Sequence, residues 1–343
     1  MRKGHCLAVT PVEEIIPSSV KAFDQDVRPA FRPVVMRGVA ADWPIVQASR
    51  RGADEALALL ANFDSGAPVE VMVAQPQAAG RFFYAADMRG FNFTREHATL
   101  GVLIAKLRQL THEPSPPALY AGAASVSSTL PGFAAAHPFA LAGASSDAKA
   151  RVWIGNAMQV ATHFDLSDNF AVVASGQRRF TLFPPDAIAD LYVGPLDNTL
   201  AGQPVSMVDP LAPDLDTYPR FAAVLPRALY ADLDPGDAIY IPTLWWHHVA
   251  ATAPINVLVN YWHNDAQQGG GFLALVHAIL AIRDRPEPER RAWKAWFDHM
   301  VFGADAQLSA GHIPQHARGV TGPPTPERDA MMRRFISQVL ASQ

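Results

Sequence analysis

The sequence predicts a mainly β protein with a jelly-roll core, α/β elements before this core and a helical region after it. Short β-branched and aromatic runs, separated by Gly and Pro turns, fill residues 150–265. Strand signals stop at the glycines of 269–271, and helical periodicity follows to the end. A chain of 343 residues can form one large domain or two ordinary ones. We therefore expect a domain over 1–265 and a helical extension over 266–343.

The residues before the core predict a mixture of strands and helices. Residues 33–38 predict a buried strand that ends at a glycine, and residues 69–74 predict a second strand. Apolar residues at helical spacing predict helices over 53–62 and 100–110. An extended segment is expected to begin at Leu119.

The core and the tail are predicted from a change of pattern. Alternating or continuous apolar runs predict the core strands 152–155, 163–165, 170–174, 178–183, 238–242 and 255–262. Residues 186–230 are rich in Pro and Asp and predict a long irregular connection. The tail is predicted to contain the helices 272–283, 287–302 and 326–341.

Composition restricts the functional class and the compartment. Apolar residues make up 49% of the chain and charged residues 17%, which is typical of a globular protein with a large core. The net charge of −4, without a basic stripe, disfavours nucleic acid as a partner. Cys6 is the single cysteine, so an intramolecular disulfide or a thiolate zinc cluster is excluded. The apolar run at 1–9 is too short for a signal peptide, and that at 271–282 is too short for a membrane span. We predict a cytoplasmic protein without a membrane partner.

His163, Asp165 and His247 form the most informative pattern in the chain. Alternate residues of a strand point to one face, about 7 Å apart at their bases, so His163 and Asp165 could reach one metal. His247 follows a Pro-Thr-Leu-Trp-Trp turn that could deliver it from a neighbouring strand. Two imidazoles and one carboxylate leave coordination positions open, as in non-haem Fe(II) oxygenases. By itself this pattern is weak, since H-x-D pairs occur by chance. His248 also competes for the ligand role, although an extended segment would turn it away.

The segments around these residues resemble the JmjC and cupin-like 2-oxoglutarate oxygenases. The resemblance lies in residues 163–170, 176–185, 235–248 and 256–262. It is specific over about 150–265 and weak elsewhere. It implies a double-stranded β-helix of the cupin type, with Fe(II) held by the H-x-D…H residues and 2-oxoglutarate as co-substrate.

The same resemblance implies residues that hold 2-oxoglutarate. Arg178 matches a basic residue, a Lys in the family relative, that meets the distal carboxylate, and Arg can bind a carboxylate bidentately. Tyr120 matches a tyrosine that donates to this carboxylate, whereas Asn169 and Asn260 match amides near the metal-side carboxylate. Alternatively, Arg178 could be a solvent-exposed charge on a strand, and Tyr120 could be an aromatic residue of the hydrophobic core. Asn260 has independent support, because an amide within an apolar strand costs free energy unless it is satisfied.

One position departs from the family pattern. Val160 stands where the relative has a hydroxyl donor to the distal carboxylate, so one hydrogen bond is missing. We expect the neighbouring Gln159 or Thr162 to compensate. Arg179 is expected to face the other side of the strand from Arg178.

These inferences favour an Fe(II)- and 2-oxoglutarate-dependent dioxygenase that uses dioxygen to hydroxylate a protein side chain or a small molecule. Asp165 argues against the related halogenases, which resemble this site but lack the carboxylate. The alternatives are another metal-dependent cupin enzyme, either an isomerase or a dioxygenase without 2-oxoglutarate, and a non-catalytic cupin binding module.

We expect Trp245 and Trp262 to line the substrate pocket, with 64–97 and 186–230 at its rim. No catalytic residue is predicted beyond the metal ligands. The resemblance also implies a homodimer through the C-terminal helices.

Overall fold

The computed structural model of this protein describes residues 10–142, 148–263 and 270–341. The chain divides into two compact units, Met1–Ala266 and Gln267–Gln343. Cys6, the segment considered as a signal peptide and the expected boundary at 265/266 all lie outside the described residues.

The strands of the first unit form two sheets. In chain order they are β1 (Thr10–Pro11), β2 (Glu13–Glu14), β3 (Val34–Met36), β4 (Pro68–Ala74), β5 (Arg81–Phe82), β6 (Phe93–Thr99), β7 (Ala118–Ser125), β8 (Lys149–Gly155), β9 (Met158–His163), β10 (Asp168–Ser175), β11 (Arg178–Phe183), β12 (Leu229–Leu233), β13 (Ala238–Ile241), β14 (Trp246–Ala251) and β15 (Asn256–His263). The smaller sheet has the order β1-β12-β11-β14-β9-β5. The larger sheet has the order β2-β3-β13-β10-β15-β8-β7-β4-β6.

Helices lie between these strands along the chain and, in the second unit, after them. They are α1 (Val20–Ala22), α2 (Pro44–Arg51), α3 (Ala53–Ala61), α4 (Leu100–Leu110), α5 (Val126–Thr129), α6 (Phe133–Ala136), α7 (Phe221–Val224), α8 (Gly270–Ala278), α9 (Glu287–Phe297) and α10 (Pro326–Ala341). Helices α8 and α9 continue as π-helical turns to Arg283 and Phe302, so the three predicted tail helices are confirmed. Helix α2 was not predicted. It begins at Pro44, whose fixed φ suits a first helical turn.

The predicted jelly roll is confirmed. From β8 to β15 the chain passes repeatedly between the two sheets, and every pairing among these strands is antiparallel. The inner faces share one core that includes Val173 and Leu258 of the larger sheet and Phe180 and Leu182 of the smaller sheet. Facing sheets with a common core are the jelly-roll arrangement.

The outer face of the larger sheet is covered by helices α2 to α4. Leu57, Leu60, Leu103 and Leu107 are fully buried and share a second core with Val172 of β10. Each such leucine stabilises the fold by roughly 1.5–3 kcal/mol relative to an exposed position. This layer supports β7, β10 and β15, which carry residues of the site.

The turn between β10 and β11 requires glycine. Gly176 has φ +77°, and a Cβ there would lie 2.5 Å from the carbonyl oxygen of Ile255. A side chain would also displace the Asn256 amide oxygen, which accepts a hydrogen bond of 3.2 Å from the backbone of Gln177. The predicted break at Gly176 thus fixes where β11 begins, and its first residue is Arg178.

The helices of the second unit leave large apolar side chains exposed. Trp296 is 61% exposed, Phe302 74% and Phe335 64%. Even so, no helix in the described part of the chain combines the length and hydropathy needed to cross a membrane.

Candidate metal centre and its cavity

Two strands and one turn bring the H-x-D…H residues together. His163 ends β9 and lies directly opposite His247 of β14, with ring centroids 4.3 Å apart. Asp165 lies in the turn after β9 rather than in a strand, which corrects the predicted strand over 163–165. The Asp165 carbonyl oxygen anchors this turn, because it accepts hydrogen bonds from the Leu244 backbone at 2.9 Å and the Thr243 hydroxyl at 3.2 Å.

The three side chains fit a single metal ion. One potential ligand atom from each of His163, Asp165 and His247 lies within 4.8 Å of the others. His247 Nε2 is 3.7 Å from Asp165 Oδ2. Ligands about 2.1 Å from one metal are about 3–4 Å apart. This donor set, two imidazoles and one carboxylate, leaves coordination positions open.

Backbone carbonyls orient both imidazoles toward that point. His163 Nδ1 lies 2.9 Å from the carbonyl oxygen of Ala161, and His247 Nδ1 lies 3.0 Å from that of Trp245. A carbonyl oxygen can only accept, so both Nδ1 atoms carry a proton, and Nε2 is then the atom that holds the lone pair in the neutral form of either ring. Burial, together with neighbouring His163, lowers the pKa of His247 to about 4. His247 is therefore neutral near pH 7, as a metal ligand must be.

Two buried amides support the carboxylate. Asn169 Nδ2 donates to Asp165 Oδ2 at 2.9 Å, and Asn260 Nδ2 donates to Asn169 Oδ1 at 2.7 Å. Asn260 Oδ1 is buried, and no described residue donates a hydrogen bond to it. Each amide group uses one of its two N–H donors in these contacts, so the other can still donate to a ligand. The expected contact of Asn169 and Asn260 with a keto-acid carboxylate stays a prediction. The sequence did not reveal this link between Asn169 and Asp165.

Arg178 carries a buried charge. It is 2% exposed, and none of its three guanidinium nitrogens has a hydrogen-bond partner among the residues that the structure describes. Burial lowers the pKa of Arg178, an effect that neighbouring Tyr120 opposes. Burial also raises the pKa of Tyr120 to about 12, so its hydroxyl stays protonated. Both side chains line the same cavity as the three candidate ligands. An unpaired buried cation is costly, which indicates that this cavity receives an anion.

Comparison with known proteins agrees with this architecture. Residues 20–269 match the model of the cupin-like domain family, and curated relatives are JmjC-type proteins. The chain belongs to this JmjC-type cupin-like family.

The tRNA wybutosine-synthesizing protein 5 of Mus musculus is 36% identical over 94 residues, which are 27% of either chain. The lysine-specific demethylase JMJ31 of Arabidopsis thaliana is 33% identical over 111 residues, 32% of this chain and 20% of that protein. The HSPB1-associated protein 1 of Bos taurus is 29% identical over 150 residues, 41% of this chain and 30% of that protein.

These matches are partial. The chain spans about a quarter of the length of the first curated relatives, 27% and 26%. The match to the cupin-like domain, in contrast, includes every residue of the metal centre and its cavity.

The two tryptophans expected in the pocket are placed differently. Trp262 lines the cavity of the cupin-like domain. Trp245 does not, so that prediction was wrong. Its indole N–H donates to the carbonyl oxygen of Phe31 at 2.9 Å, and its ring packs in the core between the sheets. A buried indole N–H needs an acceptor, and this one is on the N-terminal segment.

Gln159 or Thr162 was expected to supply the hydrogen bond that Val160 cannot make. Val160 and Ala161 line the cavity, whereas Gln159 and Thr162 are not among its lining residues. Gln159 pairs with Ala250 of β14, and Thr162 lies within the irregular part of the β9–β14 pairing, between Val160 and His163. Neither residue is thus among those that line the cavity beside Val160.

His248 and Arg179 face away from the cavity, as expected. His248 is opposite Thr181 of β11 and is 2% exposed. Burial lowers its pKa to about 4. Arg179 pairs with Asp232 of β12 at 2.7 Å near the surface.

Both segments expected at the rim contribute to the cavity wall. They supply Met72, Phe82, Phe93, Leu200, Ala201, Gln203 and Val205. Sequence reasoning missed Phe180 and Trp153, which also line the cavity. Strand parity with Arg178 could have revealed Phe180. Trp153 carries no comparable signal.

Proposed function

We propose that this protein is an Fe(II)- and 2-oxoglutarate-dependent oxygenase that hydroxylates a C–H bond of its substrate. The observation that carries this proposal is the position of Arg178. Its buried guanidinium, whose three nitrogens have no hydrogen-bond partner in the described part of the chain, lines the same cavity as a His-Asp-His group that could hold a metal. 2-Oxoglutarate suits this pair, because its keto acid can bind a metal while its distal carboxylate meets a cation.

The donor set assigns a role to each side chain. His163, Asp165 and His247 would hold Fe(II), whose two-imidazole, one-carboxylate environment is that of non-haem oxygenases. Bound there, Fe(II) supplies the redox chemistry by which dioxygen is reduced while 2-oxoglutarate is oxidised to succinate and CO2. Arg178 would bind the distal carboxylate with two parallel N–H donors. Tyr120, protonated at physiological pH, would add a third donor.

The remaining residues position these groups and exclude water. The amides of Asn169 and Asn260 hold the carboxylate of Asp165 in one orientation. Phe180 and Leu258 close the cavity from the core between the sheets. An apolar wall keeps bulk water from the reacting centre and strengthens electrostatic contacts inside it.

We further propose that residues 1–265 are the catalytic domain of a cytoplasmic protein and that 266–343 are a helical extension. The names of the relatives refer to tRNA and to lysine, but the matched segments are short. The net charge of −4 favours a substrate other than tRNA.

Anaerobic addition of Fe(II) and 2-oxoglutarate tests the site. The wild-type protein should develop a weak visible charge-transfer band and should release one succinate per 2-oxoglutarate consumed once oxygen is admitted. The double variant His163→Ala, Asp165→Ala should lose both signals, whereas Arg179→Ala, on the opposite face, should keep them. A wild-type protein without the band, or a double variant that retains it, would overturn the proposal.

A further inference from the structure

We infer that the group oxidised in this cavity is an uncharged hydrocarbon group, either aliphatic or aromatic. This inference rests on the proposed function, because it concerns the space that remains once a metal and 2-oxoglutarate are bound. It follows from the lining of the cavity, from its charge balance and from the packing of its aromatic rings.

The ionisable groups of the cavity are already assigned. His163, Asp165 and His247 are the candidate metal ligands, and Arg178 and Tyr120 are the candidate anchors of the keto acid. No other Asp, Glu, Lys, Arg or His is among the described residues that line the cavity. A charged substrate group would therefore have no counter-ion of its own.

The rest of the wall is apolar, with a few neutral hydrogen-bonding groups. Its apolar part includes Met72, Phe82, Phe93, Leu200 and Val205. Its neutral polar groups are the Gln203 amide, the Asn260 amide oxygen and the indole N–H groups of Trp153 and Trp262. Both indole N–H groups are buried and have no acceptor within residues 10–142, 148–263 and 270–341. Such groups can orient an amide or a hydroxyl on the substrate, but they cannot neutralise a charge.

The charges of the loaded site balance without the substrate. Fe(II) brings two positive charges and Arg178 brings one. Asp165 brings one negative charge and 2-oxoglutarate brings two. An ionised substrate group would leave an uncompensated charge in a buried site, which costs several kcal/mol.

A methylated ammonium is the main alternative, because aromatic rings can bind one through their faces. The rings here pack against one another, which covers part of their faces. Phe82 packs edge-on against Phe93 with centroids 5.4 Å apart and an interplanar angle of 77°. Trp153 stacks on Tyr120 at 5.5 Å and meets Trp262 edge-on at 5.8 Å. A cation held by these rings would also lack a counter-ion, because the loaded site is already neutral.

An isosteric pair of probes tests this inference directly. 3,3-Dimethylbutan-1-ol and choline have the same shape, but choline carries a quaternary nitrogen in place of the quaternary carbon. We would titrate each into the full chain loaded with Zn(II) and 2-oxoglutarate, which prevents turnover, and measure dissociation constants by saturation-transfer NMR. The alcohol should bind at least tenfold more tightly than choline. Equal or tighter binding of choline, or no binding of the alcohol, would overturn the inference.

A variant pair localises the effect to the cavity. Ala201 lines the cavity and is exposed, so Ala201→Asp adds a carboxylate without filling a packed core. It should weaken binding of the alcohol and strengthen that of choline. Ala222→Asp, an exposed alanine of the same connection that does not line the cavity, should leave both dissociation constants unchanged. An unchanged preference in Ala201→Asp would place the probes elsewhere and contradict the inference.

Succinate release then separates the two sources of a hydrocarbon group. One arm uses N-acetyl-leucinamide and N-acetyl-phenylalaninamide, and the other uses peptides that carry the same residues. Stimulation in either arm supports the inference and identifies the source, whereas stimulation by a trimethyllysine peptide alone overturns it. Binding of the alcohol to a protein that lacks the Fe(II) charge-transfer band would instead refute the proposed function and leave the apolar site standing.

Discussion

Asn169 donates a hydrogen bond of 2.9 Å from its side-chain amide to Oδ2 of Asp165. Asp165 lies in a turn, where a carboxylate would rotate freely without such a contact. Asn169 is itself fixed, because it begins the buried part of β10 and accepts a hydrogen bond from Asn260 at 2.7 Å. The strand pair β10–β15 thus sets the direction of the one carboxylate in the ligand group.

Removing this amide should weaken metal binding. Asn169→Ala deletes the donor to Asp165, and loss of such a supporting contact costs about 10–100-fold in metal affinity. Calorimetric titration with Zn(II) or anaerobic Fe(II) would measure the change. Ser167→Ala, on the same turn, is the matched control and should bind metal like the wild type. Wild-type affinity in Asn169→Ala would show that the turn alone orients Asp165.

The unpartnered charge of Arg178 predicts opposite effects in the free and the loaded protein. Arg178→Met removes a costly buried cation, so the ligand-free variant should be at least as stable to heat as the wild type. Its affinity for 2-oxoglutarate should fall about 100-fold or more, because breaking a buried ion pair costs about 3–5 kcal/mol.

Thermal unfolding with Zn(II), with and without 2-oxoglutarate, would measure both effects. The ligand should raise the Tm of the wild type and of Arg179→Met, since a ligand stabilises the state that binds it. It should leave the Tm of Arg178→Met unchanged. If 2-oxoglutarate stabilised all three proteins equally, its anchor would lie elsewhere.

Local patterns in the sequence predicted most of the jelly roll, because its strands have strong β signals and clear turn residues. Residues 178–183 form the expected strand, and Gly176 marks its beginning for a steric reason. Helix α2 was missed because its eight residues are few and partly polar. Its buried face depends on contacts with distant strands, which a single-sequence pattern does not contain.

Only part of the site was predicted from the sequence, for a similar reason. The residue types and spacing of His163, Asp165 and His247 identified a ligand group, but only tertiary structure shows that a turn rather than a strand presents Asp165. Trp245 was expected to line the pocket. Its actual place depends on an acceptor more than 200 positions away, the carbonyl of Phe31.

The buried histidines predict a loss of stability in mild acid. Burial lowers the pKa of both His247 and His248 from 6.5 to about 4 in the folded, metal-free protein. Between these values the unfolded chain binds more protons, so the free energy of unfolding falls as the pH falls from 6.5 toward 4. Each histidine contributes roughly 3 kcal/mol across this range.

Urea unfolding in the presence of a chelator, at pH 7, 6 and 5, would measure this dependence. In His248→Gln the fall with pH should be shallower than in the wild type, because one of the two groups has been removed. His97→Gln, an exposed histidine, serves as the control and should match the wild type. Identical slopes in His248→Gln and the wild type would contradict the prediction.

The exposed apolar side chains of the tail predict self-association of the chain. Trp293, Trp296 and Phe302 are 43%, 61% and 74% exposed, and each large aromatic can bury about 150–250 Å² in an interface. We expect a dimer in sedimentation velocity, with twice the 37.1 kDa of one chain. Trp296→Glu should shift it to the monomer, because a carboxylate in an apolar interface lacks a partner. Lys294→Glu, an exposed change on the same helix, should leave the dimer intact. A wild-type monomer at tens of micromolar would refute the prediction.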